Sequence, residues 1–444
     1  MFGFHLKMAW LGISRAPWIS VISIGAIALG VAVSTSMTSL HHLFTQDPIP
    51  EKSDRLFNVR TDSWDPDRDF FAVPPGEPPK AQTYRDMKGL MENDIALGQT
   101  GVANATGFVF PKYPQIRPYQ SLIRLCHADF FSMFNVPFKY GGPWSRDVDQ
   151  SLEAVVVLSQ DGNQKLFGGD NSVGESVRIG TREFTVIGVL DEFQPMPLYY
   201  DVVNSLGGKI RDFFVPFDFI RQPDLELSIW GDTDGWGPGE TFQGDNLFTQ
   251  AEFYWIQYWV ELAPANVADY EQFVDDYARE QKALGRFPRP LNNRVTPLLG
   301  WVSERNFGLG MTRAMMIISI LFLAVCAINL SGLLLGKFLA RSSITGVHRA
   351  LGASRRAIFL QHLLECELIG FSGGALGLLL AFGGLRWVAR AISIGADRLN
   401  TDLFTVDGFT AVIAFVFALV AGMVAGLYPS WRAGRVAPAL QLKV

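Results

Sequence analysis

Four long apolar runs constrain the fold of this chain more than any other feature. They cover residues 18–40, residues 314–339, a stretch that begins after Ser354, and residues 409–428. A helix rises 1.5 Å per residue, so about 20 residues cross a hydrocarbon core of about 30 Å. Each run therefore predicts a membrane-spanning helix.

Two of these runs need separate arguments. The first run has a basic flank and small residues at its far end, so a cleaved signal peptide is the alternative. The run is longer, however, than the 7–15 apolar residues that are usual in a signal peptide. The third contains Glu365 and Glu367, so that its fully apolar part extends only from Leu368 to about Leu385. That part is still just long enough to span.

The charges between the runs predict the orientation. Ten cations stand with no acidic residue among them before the first run, between the second and third, and after the fourth: Lys7, Arg15, Lys337, Arg341, Arg349, Arg355, Arg356, Arg432, Arg435 and Lys443. Residues 41–310 instead contain 38 Asp and Glu against 24 Lys and Arg. Because cytoplasmic loops are enriched in Lys and Arg, we expect both termini inside and the acidic segment outside.

The predicted fold class is a membrane protein with four transmembrane helices and a large mixed α+β extracytoplasmic domain between helices one and two. The predicted segments are an N-terminus at 1–17, a span at 18–40, the inserted domain at 41–310, a span at 314–339, a cytoplasmic coupling segment at 340–356, a third span with a cytoplasmic extension at 357–388, an outer loop at 389–408, a span at 409–428 and a cytoplasmic tail at 429–444.

Strand and helix patterns alternate in the inserted domain. Residues 153–159 and 175–190 predict strands, the latter folded into a hairpin around Gly180. Residues 254–262 alternate as in a half-buried strand, and residues 266–284 predict an amphipathic helix. The segment 228–247, rich in Gly, Asp and Trp, predicts a long surface loop, with partner contact as an alternative.

Several motifs are too incomplete to bind a ligand. Residues 332–337, GLLLGK, resemble a phosphate-binding loop but have the wrong spacing and lie within a span, so we expect no ATP on this chain. His362 and Glu365 lie one turn apart but cannot complete a metal site, and a polar helix face near the headgroups explains them. The pairs Gly332/Gly336, Gly370/Gly374, Gly373/Gly377 and Gly422/Gly426 predict close helix packing, unless glycine is simply common in such helices.

The basic stretch between the second and third runs predicts a helix, a break and a second helix. Ile344, Val347 and Leu351 form one apolar stripe. Gly352 suits the left-handed residue that ends a helix, and Ser354 suits the N-cap of the next helix. The stretch could be a plain basic loop or a surface that contacts another protein.

The same stretch carries a family resemblance. HRALGASRRAIFLQHLLE, the glycine-rich run after it and residues 425–442 resemble the permease domain of the MacB/FtsX superfamily of ABC transporters. Residues 127–144, 155–190 and 213–219 resemble the MacB periplasmic core domain. The family often has an acidic residue where Ile344 stands and an arginine where His348 stands.

The resemblance implies a permease subunit without enzymatic activity. It implies a separate cytoplasmic ABC ATPase, which would hold the ATP and magnesium, contacting residues Gly346, Val347, Arg349, Ala350, Leu351, Gly352, Ala353, Arg355 and Arg356. We expect a bacterial inner-membrane location, no cofactor or metal on this chain, and no nucleic-acid partner. A second permease subunit, identical or related, is implied, with a periplasmic membrane-fusion protein and an outer-membrane channel as further partners.

The resemblance leaves three functions open. The favoured one is a MacB-like tripartite efflux pump, in which ATP hydrolysis moves the inserted domain without passing substrate through the bilayer. A lipoprotein-extracting permease and an FtsX-like regulator of cell-wall hydrolases are the alternatives. A further class, a sensor subunit for antimicrobial peptides, is disfavoured because such subunits commonly have more than four spans.

Overall fold

The computed structural model describes residues 14, 16–70, 73–113, 115–195, 197–204, 209–236, 244–249, 252–305, 307–340, 342–393 and 408–435. Of the predicted N-terminus, outer loop and tail, residues 1–13, 15, 394–407 and 436–444 lie outside this description. The chain forms two compact units, residues 1–46 with 307–444, and residues 47–306.

The first unit contains four helices that are long and apolar enough to cross a membrane. They are α1 (Pro17–Thr45), α9 (Phe307–Ala340), α11 (Arg355–Ser393) and α12 (Gly408–Arg435), with the short α10 (Ser342–Ala350) between α9 and α11. All four extend beyond the apolar runs, because a helix continues past the hydrocarbon core wherever its backbone remains hydrogen-bonded.

The core of this unit consists of small and aliphatic side chains from all four long helices. Ile27 and Val31 of α1 meet Leu323, Ala327 and Leu330 of α9 in one buried cluster. Polar contacts add to it, since Ser34 Oγ of α1 donates to the Ser319 carbonyl oxygen of α9 at 2.8 Å.

Three of the four predicted glycine pairs lie at helix contacts. A Cβ atom added at Gly377 would lie 2.8 Å from the Ala28 carbonyl oxygen, and one at Gly373 would lie 2.8 Å from Ile27 Cβ. The pairs Gly370/Gly374 and Gly422/Gly426 are equally confined, between α11 and α12. The prediction is wrong for Gly332/Gly336, which have no such neighbour within 4 Å among the described residues.

The second unit is the inserted domain. Its helices are α2 (Tyr84–Met91), α3 (Asp129–Met133), α4 (Arg146–Ser151), α5 (Gln160–Phe167), α6 (Asn246–Thr249), α7 (Val267–Ala283) and α8 (Leu298–Arg305). Short 3-10 turns occupy Tyr199–Asp201, Phe217–Arg221, Pro223–Leu225 and Pro264–Asn266.

Thirteen strands complete this domain in its described residues. They are β1 (Leu56–Arg60), β2 (Gly98–Phe110), β3 (Tyr119–Cys126), β4 (Phe138–Gly141), β5 (Val155–Leu158), β6 (Ser176–Ile179), β7 (Arg182–Leu190), β8 (Phe213–Pro216), β9 (Ser228–Trp230), β10 (Asp234–Trp236), β11 (Glu252–Tyr254), β12 (Gln257–Glu261) and β13 (Arg294–Pro297). Eleven form one mixed sheet in the order β13-β1-β12-β2-β3-β8-β5-β7-β4, with β6 and β9 attached to β2, and β10 pairs with β11 separately.

Several strands of the large sheet, among them β1, β5 and β8, are buried on both faces. Val156 and Leu158 of β5 belong to one apolar cluster, whereas Val155 and Val157 belong to the other. This double burial explains the unbroken apolar sequence of β5. The predicted strands at 153–159 and 175–190 and the helix at 266–284 are confirmed, and Gly180 has a positive φ of 59° in the hairpin.

Two expectations for this domain are wrong. Residues 254–262 are not half-buried, because Tyr258, Trp259 and Val260 of β12 are all buried. The segment 228–247 is not simply a surface loop, because it contributes β9 and β10 to the fold, and residues 237–243 lie outside the description. Trp236 is anchored there by donating from Nε1 to the Ser63 carbonyl oxygen at 3.0 Å.

Candidate functional site

The predicted coupling segment is a helix, a sharp break and a second helix. Leu351 N donates to the Val347 carbonyl oxygen at 3.0 Å, and Gly352, with φ of 100°, ends α10. Ser354 Oγ then accepts a hydrogen bond from Ala357 N at 3.2 Å at the start of α11. The predicted helix-ending glycine and N-cap serine are confirmed, because both follow from local backbone chemistry.

The apolar stripe of this segment points away from the rest of the unit. Val347 is 46% exposed and Leu351 is 82% exposed, and residues four apart share a helix face. The Ile344 side chain, the third predicted member, lies outside the description. Exposed aliphatic groups grouped on a short helix are typical of a protein-contacting surface.

The remaining predicted site residues surround this stripe. Gly346 is buried, Arg349 and Ala353 are half-buried, and Gly352 is exposed. Ala350 is helical, and its side chain lies outside the description. The structure thus places the nine residues on one helix-and-turn element, while their role stays a prediction.

Arg355 and Arg356 are exposed in the first turn of α11. A helix dipole disfavours each cation at this end by about 0.3–1 kcal/mol. No acidic residue occupies that first turn. The two arginines therefore do not stabilise the helix that carries them, and an anionic surface outside the unit would compensate their charge.

A buried polar cluster lies in the same unit, on the helices that flank this segment. Lys337 Nζ of α9 forms an ion pair with Glu365 Oε1 of α11 at 2.6 Å and donates to Ser20 Oγ of α1 at 3.2 Å. Both charged side chains are buried. The cluster joins three of the four spans through one lysine.

Two predictions about this cluster are wrong. Lys337 is not a loop cation, because it lies inside α9 and has an acidic partner. His362 and Glu365 do not form a headgroup-facing surface, because both are buried in the bundle, and the imidazole of His362 packs 4.2 Å from the Phe338 ring. The sequence held a usable signal, since ionisable residues within spans usually face a bundle interior and pair with one another.

Other described residues offer no metal centre. No group of three or more His, Cys, Asp or Glu side chains in the described ranges is arranged to hold a metal ion. The GLLLGK stretch at residues 332–337 is part of α9.

Comparison with known proteins identifies two domains in the chain. Residues 20–273 match the MacB-like periplasmic core domain, and residues 316–438 match the FtsX-like permease C-terminal domain. The macrolide export ATP-binding/permease protein MacB of Pasteurella multocida is 25% identical over 345 residues, which are 74% of this chain and 45% of that protein. The uncharacterized ABC transporter permease YvrN of Bacillus subtilis is 23% identical over 315 residues, 70% of this chain and 67% of that protein.

A further relative is the pyoverdine export ATP-binding/permease protein PvdT of Pseudomonas syringae pv. tomato, 25% identical over 315 residues, 70% of this chain and 41% of that protein. The chain thus spans less than half the length of MacB and PvdT. Among solved structures, the periplasmic region of MacB from Actinobacillus actinomycetemcomitans matches 56% of this chain and 92% of its own, at 13% identity and a TM-score of 0.36.

Proposed function

The chain belongs to the family of ABC transporter permeases with a MacB-like periplasmic core domain and an FtsX-like permease domain, and we propose that it is the permease subunit of an export complex powered by a separate ATPase subunit. Its place is the bacterial inner membrane, with both termini in the cytoplasm. Hydrolysis by the ATPase displaces the spans, and the inserted domain changes its arrangement in response.

One observation carries this proposal. The stripe of Val347 and Leu351 is exposed on a short helix between the second and third long helices, and Gly352 fixes the turn that follows it. Burying these side chains against a partner gains about 25 cal/mol for each Å² of apolar surface removed from water. Loops rich in Lys and Arg usually lie on the cytoplasmic side of a membrane. A cytoplasmic ATPase would meet this basic segment on that side.

The contacts around Lys337 suggest how movement would spread. A displacement of α10 would act on the ends of α9 and α11, which are linked by the Lys337–Glu365 ion pair. The hydrogen bond from Lys337 to Ser20 links α1 to the same pair. The spans α1 and α9 are the two that flank the inserted domain in the chain. In a tripartite pump, a membrane-fusion protein and an outer-membrane channel would receive a compound displaced by that domain.

The experiment is permease-stimulated ATP hydrolysis by the complex copurified from its native host. Leu351→Asp places a charge in the proposed contact, so we expect stimulation to fall at least about tenfold, which corresponds to about 1.4 kcal/mol. Leu284→Asp is the matched control, because Leu284 is 70% exposed in the inserted domain, and it should retain stimulation. Full stimulation by Leu351→Asp in an intact complex would refute the proposed contact.

A further inference from the structure

The hairpin of β2 and β3 ends in a tip whose charge differs from that of the rest of the inserted domain. We call residues 108–120, which end β2, form the turn and begin β3, the β2–β3 tip. No Asp or Glu occurs from residue 95 to residue 128, although residues 41–310 together contain 38. The tip carries Lys112 and Arg117, both exposed. It is therefore a basic end of an acidic domain.

The tip lies at the end of the sheet opposite to the end where the chain enters and leaves. Leu56 at the start of β1 and Gly98 at the start of β2 both pair with Glu261 of β12, so the two strands begin at one level. The last strand, β13, pairs with β1 at that same end. From Gly98, β2 extends without interruption to Phe110, which is about 40 Å of strand. The tip is thus remote from both chain ends of the domain.

Two further cations lie against aromatic rings of the tip. Lys165 Nζ of α5 lies 3.6 Å from the centre of the Tyr119 ring, and Arg178 Cζ of β6 lies 4.2 Å from the centre of the Phe110 ring. Glu183 is the cross-strand neighbour of Arg178, but the guanidinium lies on the ring and not in an ion pair with that carboxylate. Stacking on a ring restrains a long side chain while its charge stays at the surface.

Three cations of this region have no acidic partner. No carboxylate oxygen lies within 4 Å of Arg117, Lys165 or Arg178 among the residues that the structure describes, and all three side chains are exposed. Lys112 does pair with Glu175 at 2.7 Å, but that pair is exposed on both sides, and such pairs contribute little stability. The uncompensated charge around the tip is therefore positive.

Exposed aromatic side chains accompany these charges on both faces of the hairpin. Phe108 is 51% exposed and Tyr113 is 45% exposed. Phe108 and Phe110 share one face of β2, because side chains two residues apart on a strand point to the same side. Tyr119 pairs with Val109 and so lies on the opposite face. Aromatic residues and Arg are enriched at protein–protein interfaces, whereas Asp and Glu are depleted there.

We propose that the β2–β3 tip inserts into an acidic cleft of another protein. Carboxylates of the cleft pair with Arg117, Lys165 and Arg178, and its apolar side chains contact Phe108 and Tyr113. Charge complementarity selects this partner, because a neutral or basic surface would desolvate the three cations without supplying a counter-charge. The partner surface is concave because the rings and cations lie on both faces of the hairpin. This interaction concerns the inserted domain and does not depend on contact with an ATPase.

The test is photo-cross-linking of the full-length chain in its native host. The photoreactive residue p-benzoylphenylalanine replaces Tyr113 in one variant, and replaces Leu284, which is 70% exposed outside the tip, in the control. Mass spectrometry then identifies the cross-linked chain and peptide. We expect position 113 to react with one other protein, at a peptide rich in Asp and Glu, and position 284 not to react with that peptide.

Charge reversal tests the chemistry of the contact. Lys165→Glu/Arg178→Glu should lower the yield of the cross-link from position 113 at least about tenfold, because the reversed charges repel the carboxylates of the cleft. Lys139→Glu is the matched control, because Lys139 is also an exposed cation over an aromatic ring, 5.4 Å from the centre of Tyr140, but lies on β4. It should leave the yield unchanged.

A compensating change in the partner completes the test. Lysine in place of the cross-linked Asp and Glu residues should restore the yield with Lys165→Glu/Arg178→Glu. Cross-links from position 113 only to lipid or to a second copy of this chain overturn the proposal. So does the absence of any protein product, or a yield that Lys165→Glu/Arg178→Glu leaves unchanged in the folded chain.

Discussion

Lys337 Nζ lies 2.6 Å from Glu365 Oε1, and both side chains are buried among the long apolar helices. A buried ion pair gives little net stability over apolar residues of the same size, because removing two charges from water is costly. Removing one partner alone, however, is strongly destabilising, because the other charge then stays buried without compensation. The pair therefore fixes the relative position of α9 and α11 more than it contributes to overall stability.

We expect Lys337→Met to lower the free energy of unfolding of the helical unit by about 3–5 kcal/mol, because buried Glu365 loses its lysine partner and keeps only His362, whose Nδ1 lies 3.9 Å from Glu365 Oε2. The double variant Lys337→Met/Glu365→Leu should recover most of this loss. Thermal unfolding in detergent, arranged as a double-mutant cycle, measures both effects.

The control for this cycle is Arg386→Met, which removes an exposed cation from the same helix as Glu365. Its effect should stay within about 0.5 kcal/mol. A double variant as unstable as Lys337→Met would show that the pair is not an isolated buried charge pair.

Glycine substitutions should separate helix contacts from composition. Gly377→Ala places a Cβ atom 2.8 Å from the Ala28 carbonyl oxygen of α1 and should cost about 1–3 kcal/mol. Gly332→Ala meets no such atom within 4 Å in the described ranges of the chain, and alanine favours a helix interior over glycine by about 0.5–1 kcal/mol. Thermal unfolding in the same detergent compares them, and equal effects would contradict the packing described for α1 and α11.

His127 should make the inserted domain sensitive to acid. Burial lowers its pKa to about 4, whereas the unfolded chain takes up a proton near the ordinary histidine value of about 6.5. Between these values the unfolded state binds more protons, so the free energy of unfolding falls as the pH falls, by up to about 3 kcal/mol.

Asp149 has the opposite effect over part of this range, because burial raises its pKa to about 6 and its stabilising effect is lost as the pH rises. The measurement is therefore the difference between wild type and His127→Asn in denaturant unfolding followed by tryptophan fluorescence. That difference should shrink from pH 7 to pH 4. A difference that does not change with pH would contradict the buried neutral histidine.

The proposed orientation predicts opposite labelling of two exposed leucine positions. Leu351→Cys and Leu284→Cys are introduced separately after replacing Cys126, Cys326 and Cys366. In intact spheroplasts, a membrane-impermeant maleimide should label the cysteine at position 284 and not the one at 351. Permeabilised cells provide the control, because both should then react. Labelling at position 351 without permeabilisation would reverse the assigned orientation.

Local features of this chain could be predicted from sequence, and features that depend on several helices could not. Gly352 and Ser354 were predictable because a left-handed glycine and a serine cap follow from the backbone of one turn. The burial of Lys337 was not predictable in this way. A lysine near the end of an apolar run can extend to the lipid headgroups or pair with a buried acidic residue, and the neighbouring helices decide which. The same holds for β12, whose alternating residues predict one buried face although the sheet is covered on both.

The first and last strands of the inserted domain are neighbours. Phe57 of β1 pairs with Pro297 of β13, so the chain enters and leaves the sheet on adjacent strands, which are about 4.8 Å apart. An inserted domain whose two ends lie close together can lengthen, shorten or be exchanged during evolution, because the distance between its ends stays the same. Diversity of the inserted domain then requires no redesign of the transmembrane part.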